Sequence, residues 1–308
     1  MQLGIKVGLQ HNSTTDLETA RPDFCEFWFH SGKIDEYDEL FSYCAKKSIS
    51  TGLHFWGALT NGTLANIAYP DTKILKESRR LVYKTIDAAA KNKSRYVNMH
   101  PGGAMLSKID FDKSLLMPYG KAVSYEQSAV VCEESLQLLS EYAQKRGIML
   151  LVESVPMLST TGISSQAERL HPINLFELPI RLLEPVFHHN PNLYFANDLG
   201  HTLANFKADR TTLVQNLTNI TKRLFDTTKL LHVSFIIPPY NGTDYHGCLY
   251  DREFKTAQAI PNYDEMKSLL APFTERSDVG ALVEPRENHP RNFFELKKLI
   301  SEIAKNPS

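Results

Sequence analysis

Short apolar runs alternate with longer helical patterns along the whole chain, and this alternation constrains the fold more than any other feature. Parallel sheets covered by helices show this pattern, because their strands are buried on both faces and read as nearly continuous apolar segments. The runs that we interpret as strands are 3–9, 23–29, 50–56, 95–100, 148–154, 193–198, 230–235 and 279–284. Eight such units favour a (β/α)8 TIM barrel over a doubly wound sheet.

Helical patterns occupy the segments between most of these runs. The predicted helices are 35–47, 71–92, 124–147, 209–228, 263–272 and 292–305. Ser124 and Gln127 have the spacing of a capping box at the start of the third of them. No change of composition divides the chain, so we expect one domain over residues 1–308. Long loops near 101–123, 157–187 and 236–262 follow strand ends, and in a barrel they would lie over the active-site mouth.

The composition argues against several classes of function. The chain has 34 basic and 35 acidic side chains and a net charge of -1, which argues against a histone-like nucleic-acid binder. No apolar run approaches the roughly 18 residues of a membrane span, and the first residues lack the pattern of a signal peptide. We therefore expect a cytoplasmic protein with no membrane partner. The four cysteines share no CxxC spacing and predict reduced thiols.

Metal-capable side chains lie at one phase near the carboxyl ends of the later predicted strands, from the third to the eighth. They are His54, His100, Glu153, Asp198 with His201, His232 and Glu284, and the loop after the seventh strand adds Asp244 and His246. The carboxyl ends of barrel strands meet at one mouth, so these side chains should share a common space. Carboxylates gathered there without cations would repel one another and lose hydration, which divalent metal ions would prevent.

The number of donors indicates how many ions such a site would hold. A catalytic zinc takes three protein ligands, sometimes four, so nine donors predict two or three ions with a bridging carboxylate. Mixed histidine and carboxylate donors suit zinc, manganese or iron better than calcium. Taken singly, His54 and His100 could be hydrogen-bonded strand-end histidines, Asp198 a helix cap and Asp244 a turn residue. Their common phase favours the metal interpretation.

These residues resemble the metal-binding sets of known barrels. Glu153, Asp198, His232 and Glu284 resemble the ligands of the xylose-isomerase-like TIM barrel superfamily, which includes sugar isomerases, epimerases and endonuclease IV. The set of His54, the His-Pro-Gly at 100–102, the Asp198-x-x-His201 pair and the Asp244-x-His246 triplet resembles endonuclease IV (AP endonuclease family 2) more closely. That enzyme holds three zinc ions and cleaves DNA at abasic sites.

The resemblance implies a division of the donors among three zinc ions. His54 and His100 would share one ion with Glu153, which would bridge to a second ion on Asp198, His232 and Glu284, while His201, Asp244 and His246 would hold the third. The chain departs from endonuclease IV beside these donors. Glu153-Ser154-Val155 stands where that family usually has Glu-Asn-Thr.

The site residues are compatible with two reaction classes. The leading hypothesis is hydrolysis of a phosphodiester in DNA that contains abasic sites, or of another phosphate ester, with Phe55 and Trp56 as candidate stacking residues. The alternative is isomerisation or epimerisation of a sugar or sugar phosphate with one divalent ion on Glu153, Asp198, His232 and Glu284. Glu153 and Glu284 are the catalytic candidates, and in the alternative they transfer protons. A metal-binding barrel without catalysis is the third possibility.

Overall fold

The computed structural model describes residues 1–9, 12–110, 115–156, 178–240 and 245–305. Its strands are β1 (Gln2–Val7), β2 (Phe24–His30), β3 (Ser50–Trp56), β4 (Tyr96–Met99), β5 (Leu106–Asp110), β6 (Leu115–Tyr119), β7 (Met149–Glu153), β8 (Leu193–Asp198), β9 (Thr228–His232) and β10 (Gly280–Val283). All except β5 and β6 are parallel and close into a barrel of eight strands, in which β1 pairs with both β2 and β10. The predicted TIM barrel is confirmed.

Helices surround the barrel and connect its strands. They are α1 (Ser13–Ala20), α2 (Asp38–Lys47), α3 (Thr72–Lys91), α4 (Tyr125–Lys145), α5 (Ile180–His189), α6 (Leu199–Leu203), α7 (Arg210–Arg223), α8 (Tyr263–Leu270) and α9 (His289–Lys305). The predicted capping box is present at α4, where Ser124 Oγ accepts from Gln127 N. The sequence interpretation missed α1, α5 and α6, which are short and interrupted by polar residues or by Pro185.

The long loops follow the carboxyl ends of barrel strands. The loop at 101–123 contains the antiparallel hairpin β5–β6, which the sequence interpretation did not predict. Of the predicted loop at 157–187, residues 157–177 lie outside the described part, and α5 begins at Ile180. The loop at 236–262 is described except for 241–244, and a 3-10 turn at Glu253–Lys255 lies within it.

The inside of the barrel has an apolar floor because inward-facing positions recur every second residue of a strand. The floor consists of Phe24, Tyr96, Leu151, Ala196, Leu230 and Leu282, all buried. Glycines make room for its aromatic rings: a Cβ added at Gly52 would lie 2.1 Å from the Tyr96 ring, and one at Gly4 would lie 2.4 Å from the Phe24 ring. Side chains therefore fill the inside of the barrel below the mouth.

We expect the substitution Gly52→Ala to destabilise the barrel by about 2–3 kcal/mol, since the added methyl group forces Tyr96 out of its packing position. Urea unfolding followed by circular dichroism measures this change. Gly8→Ala is the matched control, because its Cβ would meet the Trp28 ring at 3.5 Å, an ordinary contact. Equal unfolding midpoints for the two variants would contradict the expected clash.

Two further sequence expectations concern the chain as a whole. Within the described residues, no helix combines the length and apolar character needed to cross a bilayer. The cytoplasmic location stays a prediction. None of the four cysteines forms a disulfide, and all four are buried thiols.

Candidate metal centre

Polar side chains form one layer inside the barrel, directly above the apolar floor, because each lies two residues after an inward-facing floor position or glycine. This polar layer consists of Lys6, Glu26, His54, Asn98, Glu153, Asp198, His232 and Glu284. All are buried except Glu284, which is partly exposed at the mouth. Four carboxylates and one ammonium group share this space, so the layer has an excess of negative charge when its imidazoles are neutral. Such an excess favours a bound cation.

Glu153, at the end of β7, lies at the centre of the layer. Its Oε1 atom is 3.3 Å from His232 Nδ1, 3.4 Å from His100 Nε2 and 3.4 Å from His201 Nδ1. Its Oε2 atom accepts a hydrogen bond of 2.5 Å from Asn98 Nδ2. Burial opposes ionisation, but His232 and His54 hold the pKa of Glu153 well below its usual range. Glu153 is therefore an anion facing several imidazoles.

Three buried donor atoms fit a metal ion directly. For Glu153 Oε1, Asp198 Oδ2 and His232 Nδ1, no hydrogen-bond partner is found within the described part of the chain. The three residues offer ligand atoms that all lie within 4.8 Å of one another. Buried polar atoms are nearly always paired, so three such atoms aimed at one point indicate that a shared cation belongs there. Glu284 Oε2 adds a fourth donor, 3.4 Å from His232 Nδ1.

Asp198 has two roles, one for each carboxylate oxygen. Oδ1 caps α6 by accepting from His201 N at 2.9 Å and also accepts from Ser234 Oγ at 2.7 Å. Oδ2 turns toward the centre and lies 3.7 Å from His232 Nδ1. Helix cap and candidate ligand, which the sequence left as alternatives, are therefore compatible. The capping bond fixes the carboxylate so that Oδ2 points at the cation position.

Glu26 orients His232 from the opposite side of the ring. His232 Nε2 lies 3.0 Å from Glu26 Oε1, and this bond leaves Nδ1 to face Glu153, Asp198 and Glu284. A carboxylate on the second ring nitrogen is the usual support of a metal-binding histidine. Burial would lower the pKa of His232, but Glu153 and Glu26 raise it well above its ordinary value. A positive charge is therefore strongly favoured at Nδ1, whether as a proton or as a metal ion.

Lys6 places a fixed positive charge beside the candidate ligands. Its ammonium group donates to Glu26 Oε1 at 2.6 Å, to His54 Nδ1 at 2.5 Å and to Glu284 Oε2 at 2.9 Å. Burial would lower its pKa, but Glu26 and Glu284 raise it above the ordinary lysine value. Lys6 therefore stays charged and uses all three of its N–H donors.

The contact with Lys6 determines which nitrogen of His54 carries the proton. An ammonium group can only donate, so His54 Nδ1 accepts and the neutral ring has its proton on Nε2. Burial, followed by the charge of Lys6, lowers the pKa of His54, which keeps the ring neutral. His54 Nε2 lies 3.8 Å from Glu153 Oε2. In this arrangement Nε2 carries a proton, so His54 would bind a metal there only if Lys6 moved.

His201 and His246 form a second group of imidazoles at the mouth. His201 Nδ1 lies 2.9 Å from Ser154 O, and His246 Nδ1 lies 2.9 Å from Glu284 O. Carbonyl oxygens only accept, so each Nδ1 donates, which makes Nε2 the acceptor nitrogen of the neutral ring. The two rings are 5.8 Å apart, edge to face. Asp244 lies outside the described residues, so a metal site of His201, Asp244 and His246 stays a prediction.

The remaining candidates lie around the same mouth. The His100 ring is 5.1 Å from His54, 6.1 Å from Trp56 and 6.1 Å from His201. Trp56 is partly exposed there and can contact a ligand, whereas Phe55 faces outward and is buried in the core between barrel and helices. Phe55 therefore cannot stack on a ligand bound in the mouth.

Sequence reasoning missed Lys6, Glu26 and Asn98, all of which lie within strands rather than at their ends. Asn98 bridges two carboxylates, with Nδ2 2.5 Å from Glu153 Oε2 and 3.5 Å from Glu26 Oε2. For Lys6 and Glu26, the available signal was a charged residue inside an apolar run, as in LGIKVGL and FCEFWF. A charge at such a position has to be paired inside the protein, which predicts an internal partner.

Comparison with known proteins shows similarity at the level of the fold. No family model matches the chain, and no curated protein matches it. Among solved structures, a putative xylose isomerase from Rhodospirillum rubrum superimposes with a TM-score of 0.64 at 12% identity and 100% coverage of both chains. D-psicose 3-epimerase from Clostridium cellulolyticum, solved with D-tagatose, gives a TM-score of 0.58 at 13% identity and covers 99% of this chain and 96% of its own.

A protein from Thermus thermophilus, soaked with ZnCl2, is also similar, with a TM-score of 0.62 at 18% identity, covering 98% of this chain and 99% of its own. The chain thus has the fold of the xylose-isomerase-like barrels.

The expected endonuclease IV-like phosphodiesterase, with abasic DNA as partner, is wrong: the similar structures include epimerases of D-psicose and L-ribulose, and they favour the isomerase or epimerase alternative. Glu153, Asp198, His232 and Glu284 resemble both groups, so these residues did not separate the two functions.

Proposed function

We propose that the chain is a metal-dependent sugar or sugar-phosphate isomerase or epimerase that uses one divalent ion. The observation that carries this proposal is the convergence of three buried, unsatisfied ligand atoms, from Glu153, Asp198 and His232, beside the fixed charge of Lys6. The sugar epimerases and isomerases among the similar structures support the substrate class.

Glu153, Asp198, His232 and Glu284 would hold the ion, and Mn2+ or Mg2+ suits a set that is mostly carboxylate. When bound, the ion would polarise the carbonyl and the neighbouring hydroxyl of an open-chain sugar, which would acidify the C–H bond of the carbon that carries this hydroxyl. Lys6 is a second positive charge near this position. Its ammonium group pairs with Glu284 and would help to stabilise the negative charge that develops on the sugar. The site thus favours an enediolate-like transition state over the neutral sugar.

Glu153 and Glu284 would transfer the protons. Glu153 Oε1 and Glu284 Oε2 lie 3.3 Å and 3.4 Å from His232 Nδ1, so both carboxylates lie beside the proposed ion and the sugar that it would bind. Epimerisation requires removal of a proton from one face of that carbon and delivery to the other. Glu284 accepts hydrogen bonds from both Trp28 Nε1 and Lys6 Nζ. Burial raises its pKa, but the charges of Lys6 and His232 lower it to about 2.

The residues around the mouth would bind and orient the sugar. His201 and His246 present Nε2 as an acceptor for hydroxyl groups, because each donates from Nδ1 to a backbone carbonyl. Trp28 and Trp56 are partly exposed in this region and offer flat apolar surfaces to a sugar ring or chain. Hydrogen bonds from the sugar to His201 and His246 would determine which of its hydroxyl groups lies beside Glu153 and Glu284.

We expect the purified protein, loaded with Mn2+ or Mg2+, to interconvert at least one pair of ketose epimers or an aldose–ketose pair from a panel of free and phosphorylated sugars. Liquid chromatography of the products measures this, and incorporation of deuterium from D2O at the reacting carbon confirms proton transfer. Treatment with EDTA should abolish both signals, and adding the metal back should restore them. Absence of turnover and of deuterium exchange across the whole panel would overturn the proposal.

A further inference from the structure

Lys6 is the one lysine of the described residues whose side chain is fully buried, and it lies inside the barrel rather than on its surface. Its Nζ atom contacts Glu26 Oε1 at 2.6 Å, His54 Nδ1 at 2.5 Å and Glu284 Oε2 at 2.9 Å. The Trp28 ring covers it, with the centroid 5.5 Å from Nζ. The ammonium group is thus enclosed by two carboxylates, an imidazole and an indole.

The groups that hold Lys6 are themselves a potential metal-binding set. Ligand atoms of Glu26, His54 and Glu284 lie within 4.8 Å of one another, as in the cluster of Glu153, Asp198 and His232. One imidazole and two carboxylates are the ligands of many catalytic divalent ions. Glu284 belongs to both groups, so the two cation positions are adjacent and share a carboxylate.

We propose that Lys6 fills a second cation position, formed by Glu26, His54 and Glu284, and thereby keeps a metal ion from binding there. This inference deepens the proposed function and rests on it. The three N–H donors of the ammonium group point at the three atoms that would otherwise bind the second ion. The ammonium group of Lys6 therefore takes the place that a dissociable metal ion would otherwise have between Glu26, His54 and Glu284.

The contacts explain why lysine suits this position. Its charge neutralises a shared carboxylate without placing two divalent ions side by side, and its long stem reaches the centre from β1. Glu26 Oε1 contacts both Lys6 Nζ and His232 Nε2. The position of the ammonium group and the orientation of the His232 ring therefore depend on the same carboxylate oxygen.

The substitution Lys6→Met tests the inference through metal content. After dialysis against Mn2+ and removal of free ion, inductively coupled plasma mass spectrometry should find one ion per chain in the wild type and two in Lys6→Met. Mn2+ should also raise the melting temperature of Lys6→Met by more degrees than that of the wild type, because it fills an additional site. Lys229→Met is the matched control: this strand lysine pairs with Asp278, away from the polar layer, and its loss should leave the count at one.

The charge-balanced variant Lys6→Met with Glu26→Gln keeps the experiment decisive if the single variant is unstable. It removes one carboxylate with the ammonium group, so it should fold without a second ion and bind one. One ion in both the wild type and a folded Lys6→Met protein would overturn the inference and leave the proposed function standing. Failure of Mn2+ to fold Lys6→Met, when the double variant folds, would likewise overturn it. No ion in either protein would overturn the proposed function itself.

Discussion

Replacing Glu153 by glutamine should lower kcat/KM for the interconverted sugar by about 10³-fold or more, since general acid–base catalysis alone contributes 10²–10⁴-fold. The amide cannot accept the proton, and it removes the anionic oxygen, Oε1, around which His100, His201 and His232 converge. Steady-state kinetics with saturating Mn2+ measures the change.

Glu134→Gln is the control for Glu153→Gln, because it makes the same chemical change on the exposed side of α4. Circular dichroism of both variants checks that the barrel is intact. We expect wild-type kinetics for Glu134→Gln. A Glu153→Gln protein that folds and retains a kcat/KM within tenfold of the wild type would exclude Glu153 from the reaction.

Replacing Glu26 by alanine should destabilise the metal-free protein by about 3–5 kcal/mol, the usual cost of breaking a buried ion pair from one side. Glu26 Oε1 accepts from Lys6 Nζ at 2.6 Å and contacts His232 Nε2 at 3.0 Å, so its loss leaves a buried ammonium and a buried imidazole without their carboxylate. Burial raises the pKa of Glu26, but Lys6 and His232 hold it well below its usual range, so Glu26 is a carboxylate anion. Urea unfolding in EDTA measures the difference.

Glu134→Ala is the control for Glu26→Ala, since it removes a carboxylate of the same kind from an exposed helix position. Its unfolding free energy should change by less than about 0.5 kcal/mol. A loss below about 1 kcal/mol for Glu26→Ala, a value typical of exposed ion pairs, would show that Glu26 does not stabilise the polar layer.

The barrel could be predicted from the sequence because its strands are short apolar runs that alternate with helical patterns along the whole chain. Two predicted strands, 50–56 and 193–198, coincide with the observed β3 and β8. The hairpin β5–β6 was not predicted, because its two strands of five residues lie in a segment that the sequence interpretation assigned to a loop. The short helix α6 depends on its cap by Asp198, which the sequence offers equally as a ligand.

Proximity at the mouth could also be predicted, but the number of ions could not. The position of Glu153 and Asp198 at strand ends identifies them as candidate metal ligands. It does not show which positively charged groups lie beside them. The deciding residue, Lys6, is a single charge inside an apolar run, and only the barrel shows that it reaches His54 and Glu284. If Lys6 fills a cation position as proposed, a count of donors in the sequence gives too many ions, because the ammonium group already occupies some of those donors.

The most direct test of the single-ion centre is the metal content of Asp198→Asn compared with the wild type. Asparagine can keep the cap of α6 through its carbonyl oxygen but loses the charge of Oδ2, so the fold should persist while the ion is lost. Asp209→Asn, the same change at the exposed cap of α7, is the control. We expect one ion per chain in the wild type and in Asp209→Asn, and none in Asp198→Asn. Two or three ions in the wild type, or an ion retained by Asp198→Asn, would contradict a single ion held by Glu153, Asp198, His232 and Glu284.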